Sequence, residues 1–352
     1  MLGLGYAYRG GAGVLSAWSG LKFARTPVVL DIPGIWLARL AGETPRRYYS
    51  SPSGQLDIRR AAGKILDEAA GIKLTRCVDF GGLVAGSVFG CEPVFGDDAP
   101  PYSMPALSSP EEVPQLAARV DALSMEEAGL VPRLFEWRHW LRQHEDTRLG
   151  YALRIPGIAT LAEQVCGSSN LYRWIESRPA KMADLAGVLR RTVIRLVQFI
   201  RRRTGTPIPI IVIEDPAMAK VDAEAFHEIF WRATRTVAMA LTSSSIFRCY
   251  RAPGTEYAHA VFVARLAPRV MQIGEVDYTE IRSIAGRKVV WGGLSETTLA
   301  EASPEEVADT ARKAAKNAAE AGMPLMLSPR GAVPKNTPLE NIVALAKYDV
   351  CK

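Results

Sequence analysis

The sequence predicts an α/β fold, specifically a single (β/α)8 barrel. Three observations carry that expectation. Short apolar runs ending near Asp, Gly or Pro recur eight times, helical segments separate them, and no linker divides the chain. Strands alternating with helices argue for parallel βα units. Eight of them fit a closed barrel better than a doubly wound sheet. At 352 residues the length also admits two domains, but one barrel over 1–352, with 1–25 as an N-terminal extension, accounts for the whole pattern.

The expected strands lie at 27–31, 72–79, 151–155, 207–213, 245–250, 270–273, 289–291 and 325–327. The clearest helix covers 55–70, with Leu56, Ala61, Ala62, Ile65, Leu66 and Ala69 at helical spacing. The Pro-rich stretch 98–114 reads as a surface excursion after the second strand. A helix over 189–203 carries Leu189, Val193, Leu196, Val197 and Ile200 on one stripe, and Gly205 stops it. Further helices are expected over 223–241 and 303–321. In the last, Ser303 is an N-cap, Pro304 sits at N1, and Glu305 and Glu306 face the positive end of the dipole.

Composition narrows the function classes. Hydrophobic residues make up 48% and charged residues 23%, which excludes disorder, collagen-like repeats and coiled coil as the main architecture. The net charge of +6 and a pI near 9.1 leave an anionic ligand or nucleic acid open. The densest basic stretch, however, is the 189–203 helix. Arg190, Arg191 and Arg195 lie off its apolar stripe, and Arg201, Arg202 and Arg203 sit where cations suit the helix dipole. No zinc finger, helix-turn-helix or aromatic RNA-binding signature accompanies it, so no nucleic-acid partner is expected. No run approaches the ~18 apolar residues of a membrane span. The N-terminus lacks a basic segment followed by an apolar core, so a cytoplasmic location is expected. Five scattered cysteines without a CxxC pair read as reduced thiols. The four histidines show no metal spacing, and no nucleophile elbow or P-loop occurs.

In a barrel, ligands bind at the C-terminal ends of the strands. The residues just after each run are Asp31, Asp79, Gly157, Glu214 with Asp215, Arg251, Glu275, Gly292 with Gly293, and Arg330.

Several segments, in order, resemble the uroporphyrinogen decarboxylase superfamily and its corrinoid-linked methyltransferase branch. They are Thr26-Pro-Val-Val-Leu30, Phe89-Gly-Cys-Glu-Pro-Val94, Pro156-Gly-Ile-Ala-Thr-Leu-Ala162, Ile213-Glu-Asp-Pro216, Gly292-Gly293 before Ser303-Pro-Glu-Glu-Val307, and Ser328-Pro-Arg-Gly331 before Thr337-Pro-Leu-Glu-Asn-Ile342. The resemblance spans nearly the whole chain and implies a (β/α)8 barrel.

Its departures refine the implied activity. The branch that methylates a thiol such as coenzyme M is similar but places His-x-Cys-Gly after strand five and a further Cys in the last motif, which hold a zinc. Here those slots read Arg251-Ala-Pro-Gly254 and Arg330-Gly331, so no zinc is expected. The decarboxylase branch places a Tyr where Gln164 stands, a Ser at Pro216 and a His at Arg330. The resemblance therefore implies a donor-side methyltransferase. It would move methyl from a small donor, such as a methoxylated aromatic in an O-demethylase, to the cobalt of a separate corrinoid-binding protein. The cofactor would be a corrinoid (cobalamin) supplied by that partner. A decarboxylase, a thiol methyltransferase and a non-catalytic anion-binding barrel are the alternatives, and a homodimer is left open.

Such chemistry must stabilise an anionic leaving group. Arg251 and Arg330 offer fixed positive charge, because an Arg stays protonated. Glu214, Asp215 or Glu275 would be the acid if burial raises its pKa. Substrate contacts are expected from Asp79, Tyr250, Tyr257, Trp291, Gln164 and Asp31. Each candidate also has a structural reading. The arginines could pair with Glu275 and Glu256, Asp215 could cap the next helix, and the aromatics could fill the core.

Overall fold

The protein was analysed as a computed structural model, which describes residues 6–8, 26–75, 77–144, 152–205, 210–242, 247–274 and 277–349. By internal contacts they fall into two compact units. One is built mainly from Cys77–Gly96 and Pro101–Ala252, the other from Leu4–Arg76, Asp97–Pro100 and Pro253–Lys352.

The second unit begins with β1 (Tyr6–Tyr8), which pairs antiparallel with both β2 (Val29–Asp31) and β3 (Lys73–Leu74). The N-terminal extension, 1–25, thus supplies a strand that is not among the eight expected. Residues 9–25 of that extension lie outside the described residues. Between β2 and β3 runs α1 (Pro52–Ala70). The Ser51 hydroxyl accepts from Gly54 N at 3.0 Å, Pro52 starts the helix, and Gly71 (φ 65°) ends it. Leu56, Ile58, Ala62 and Leu66 face inward.

The run expected as strand two corresponds only to β3 and an isolated bridge at Val78. The expected surface excursion is partly ordered as a hairpin of β4 (Glu92–Val94) and β5 (Tyr102–Met104). Cross-strand pairing overrides the loop signal of its prolines.

The core of the first unit is the parallel sheet β6 (Ala152–Pro156), β7 (Ile210–Glu214) and β8 (Phe247–Arg251). Its register sets Pro156, Glu214 and Arg251 side by side at the C-terminal strand ends. After β6 comes α2 (Ile158–Cys166), and then α3 (Pro179–Thr204). Leu189, Val193, Leu196, Val197 and Ile200 are buried on α3, and Gly205 (φ 59°) terminates it, as the spacing predicts. The basic face of α3 is not merely solvated. Arg195 donates to the carbonyls of Val120, Asp121 and Leu123, and Arg201 to that of Leu241. Both arginines thereby satisfy orphan carbonyls at helix ends. The helix expected over 223–241 is interrupted by a π turn at Phe226–Phe230, and its last stretch is Trp231–Thr242. His227 on that turn is exposed.

In the second unit β9 (Val270–Gln272), β10 (Val289–Leu294) and β11 (Leu325–Pro329) are parallel neighbours. Val28, just before β2, bridges Leu327 of β11 in parallel. α4 (Tyr278–Ala285) precedes β10, and α5 (Pro304–Glu320) follows it. The capping box between Ser303 and Glu306 is present, and Gly322 takes φ 65°. No described helix is long and apolar enough to cross a membrane.

Candidate functional site

At the C-terminal ends of β6, β7 and β8, three charged side chains meet. Glu214 accepts from Arg251 at 3.0 Å through Oε1 and from Arg154 through Oε2. Arg251 is fully buried, whereas Arg154 is 25% and Glu214 18% exposed. The two guanidiniums and one carboxylate that meet here carry a formal charge of +1 among these three groups. In a partly desolvated site such charge acts more strongly than in water. Arg251 therefore pairs with Glu214; its expected partner Glu275 lies outside the described residues. Arg154 lies inside β6, so the rule that picks out residues just after each strand does not reach it.

Asp215 follows Glu214 and is completely buried. Its Oδ1 accepts from Thr160 N at 2.7 Å and Thr160 Oγ1 at 2.8 Å, and its Oδ2 from Tyr250 OH at 2.9 Å. Thr160 lies in the first turn of α2, whose own N-cap, Gly157, has no side chain to offer. Asp215 thus caps α2 from another strand. It does not cap the helix that follows, Pro216–Lys220, whose Ala217 N donates instead to Thr160 Oγ1 at 3.2 Å. Burial pushes the Asp215 carboxyl up, against the pull of its Thr160 and Tyr250 donors. The same burial, with Asp215 beside it, pushes the Tyr250 phenol well up. Gly157 is required by close approach: a Cβ there would lie 2.2 Å from Asp215 Cγ. Asp215 and Tyr250 are thus committed to each other and to α2.

The remaining candidates are scattered. Asp79 Oδ1 accepts from Gly81 N at 2.8 Å in a local turn. Gln164, on α2, has a buried Oε1 with no hydrogen-bond partner among the described residues, and its carbonyl accepts from Cys91 Sγ at 3.3 Å. In the second unit Asp31 is buried at the end of β2, where its carbonyl accepts from Val333 N. Tyr257 is 42% exposed and opens a helix. Trp291 is buried and donates from Nε1 to the Val29 carbonyl at 2.9 Å. Arg330 lies half-buried beyond β11, near Tyr278, whose phenol burial pushes up to about 12 while the Arg330 charge pulls it down. Glu275 lies outside the described residues.

The described cysteines Cys77, Cys91, Cys166 and Cys249 are free and buried. Among the described residues no group of three or more His, Cys, Asp or Glu could hold a metal ion. Cys249, on β8, is buried, and burial pushes its thiol up.

Comparison with known proteins adds the family. A methyltransferase from Methanosarcina mazei shares the fold, with a TM-score of 0.72 and 17% identity over 95% of this chain and 96% of that one. A B12-independent methionine synthase from Shewanella sp. W3-18-1 gives a TM-score of 0.45 and 13% identity, over 84% of this chain and 87% of that one. No curated protein matches the sequence. The sequence profile of uroporphyrinogen decarboxylase (URO-D), whose fold is a (β/α)8 barrel, matches residues 77–348. The chain therefore belongs to the uroporphyrinogen decarboxylase family.

Proposed function

We propose that the protein is a methyltransferase that moves a methyl group from a small donor, with methoxylated aromatics the first candidates, to the cobalt of a separate corrinoid protein. The observation that carries this reading is the Arg154–Glu214–Arg251 cluster at the ends of β6–β8. Its positive charge suits a donor that leaves as an anion, such as a phenolate. Its donor set of two guanidiniums and one carboxylate does not fit a thiol-activating zinc. The same three side chains do not fit a corrinoid either, so that cofactor would be held by its own carrier.

When bound, the corrinoid supplies the nucleophile. This chain's residues bind and orient the donor. Arg251, immobilised by burial and by Glu214, holds positive charge where the leaving oxygen becomes negative, and it acts by charge without giving up a proton. Arg154, the more exposed guanidinium, meets the donor's polar edge. Asp215 and Tyr250 keep the end of β7 and the start of α2 in fixed register, which preserves the position of Glu214.

A decarboxylase reading is favoured by the family's own description and by Arg154, which could receive a substrate carboxylate. Incubation with reduced corrinoid protein and a panel of methoxylated aromatics separates the two. Methyl-cobalt formation with release of a phenol supports methyl transfer. Carbon dioxide release from a porphyrinogen, with no methyl-cobalt from any donor, overturns it.

A further inference from the structure

The second unit contains a cleft of about 710 Å³ between α4 and α5, over the C-terminal half of β10. This volume lies in the range of small-molecule sites. Gly292 and Gly293, inside β10, line it with φ of 156° and 112°. A side chain at Gly293 would meet Leu327 at 3.1 Å and Ala314 at 3.2 Å. Backbone that L-residues rarely adopt is thus kept where the cleft passes.

The charges on its walls are unequally committed. Asp277 is occupied as the N-cap of α4, accepting from Thr279 N at 2.7 Å and Glu280 N at 3.1 Å. Glu320 faces Lys316 at 3.8 Å on its own helix. Lys313 also lines the cleft, is exposed, and has no ion pair or hydrogen bond among the described residues. Thr310 and Asn317, one turn on either side of it, bring a hydroxyl and an amide to the same wall, and Arg330 closes one end. An uncommitted ammonium flanked by neutral donors favours a negative group, because both nearby carboxylates are already satisfied.

We infer that this cleft is a binding site for a small oxyanion, with Lys313 as its charged contact. The oxyanion could belong to free phosphate or to an organic carboxylate, and the two share the recognition chemistry. The inference does not rest on methyl transfer.

Titration calorimetry of the full chain with inorganic phosphate, benzoate and neutral benzamide tests it. Saturable binding of phosphate, benzoate or both is expected, with benzamide at least tenfold weaker than the better anion. Phosphate alone would mark the head group as sufficient, and benzoate alone would mark an organic acid. Lys313→Glu should weaken the anion at least tenfold, and Asn317→Trp should obstruct it without changing charge. Lys64→Glu, the same charge change on exposed α1, should leave binding intact. Binding equal for benzamide, unchanged in Lys313→Glu, lost equally in Lys64→Glu, or absent for both anions at millimolar concentration would overturn the inference.

Discussion

Asp215 caps a helix to which it does not belong: its Oδ1 stands 2.7 Å from Thr160 N and 2.8 Å from Thr160 Oγ1, at the start of α2. The bond ties the end of β7 to the beginning of the preceding βα unit. Tyr250 on β8 closes the link at 2.9 Å. Three consecutive strands are thereby held in the register that sets Glu214 beside Arg251.

Removing the carboxylate orphans buried donors. Asp215→Ala is expected to cost about 2–4 kcal/mol, since each unsatisfied buried group costs roughly 1–3. Asp215→Asn keeps the shape and should cost less. The carboxyl is raised by burial, so the native state holds its proton more tightly than the unfolded chain, whose value is about 3.9. Its contribution is fully present below that pH and is lost as pH rises through the native value. The stability of wild type minus Asp215→Asn should therefore fall as pH rises above about 4. Urea unfolding across pH checks this, and a difference that grows with pH would contradict it.

Gly157→Ala tests the close approach directly. The added methyl would sit 2.2 Å from Asp215 Cγ and 2.4 Å from its Cβ. Strand or helix must shift, at a cost of about 1–3 kcal/mol. Thermal unfolding should show a clear drop, and an unchanged midpoint would mean that the β7–α2 contact is looser than described.

The Arg251–Glu214 pair should be strongly coupled. Breaking a buried ion pair costs up to roughly 3–5 kcal/mol; removing Glu214 strips both Arg154 and Arg251 of this partner, whereas removing Arg251 leaves Glu214 with Arg154. Arg251 is fully buried and Glu214 mostly so. Arg251→Met with Glu214→Gln should then cost much less than the sum of the single changes. Additive costs in a double-mutant cycle would contradict the pairing.

The four described thiols should be silent in the folded protein. Burial pushes Cys91 up to about 11 and Cys166 to about 12, and raises Cys249 further. Native protein at pH 8 should leave Cys77, Cys91, Cys166 and Cys249 unmodified by iodoacetamide, and denaturant should expose all four. Mass spectrometry of the peptides reads the result, and rapid native labelling of Cys249 would contradict the enclosure of β8.

The sequence exposed the parts that depend on local signals. The stripe on α3, the capping box at Ser303 and the strand runs of the C-terminal half follow from periodicity and turn chemistry. The helix stop at Gly205 follows in the same way. What it concealed depends on partners far apart along the chain. β1 forms only by pairing with β2 and β3, so Tyr6–Tyr8 carries no strand signal of its own. Asp215 was legible as a cap, but its helix was not, because Thr160 precedes it by 55 residues. Glu214 and Arg251 were both singled out, yet their pairing needed the register of β7 on β8. Arg154 was missed because it lies inside a strand.

The most direct test of the account is the absorbance spectrum of a reduced corrinoid protein mixed with this protein and a methoxylated aromatic. The account predicts the methyl-cobalt spectrum, with phenol released in equal amount, and a rate at least a hundredfold lower in Arg251→Met. No methyl-cobalt with any donor, alongside decarboxylation of a porphyrinogen, would contradict it.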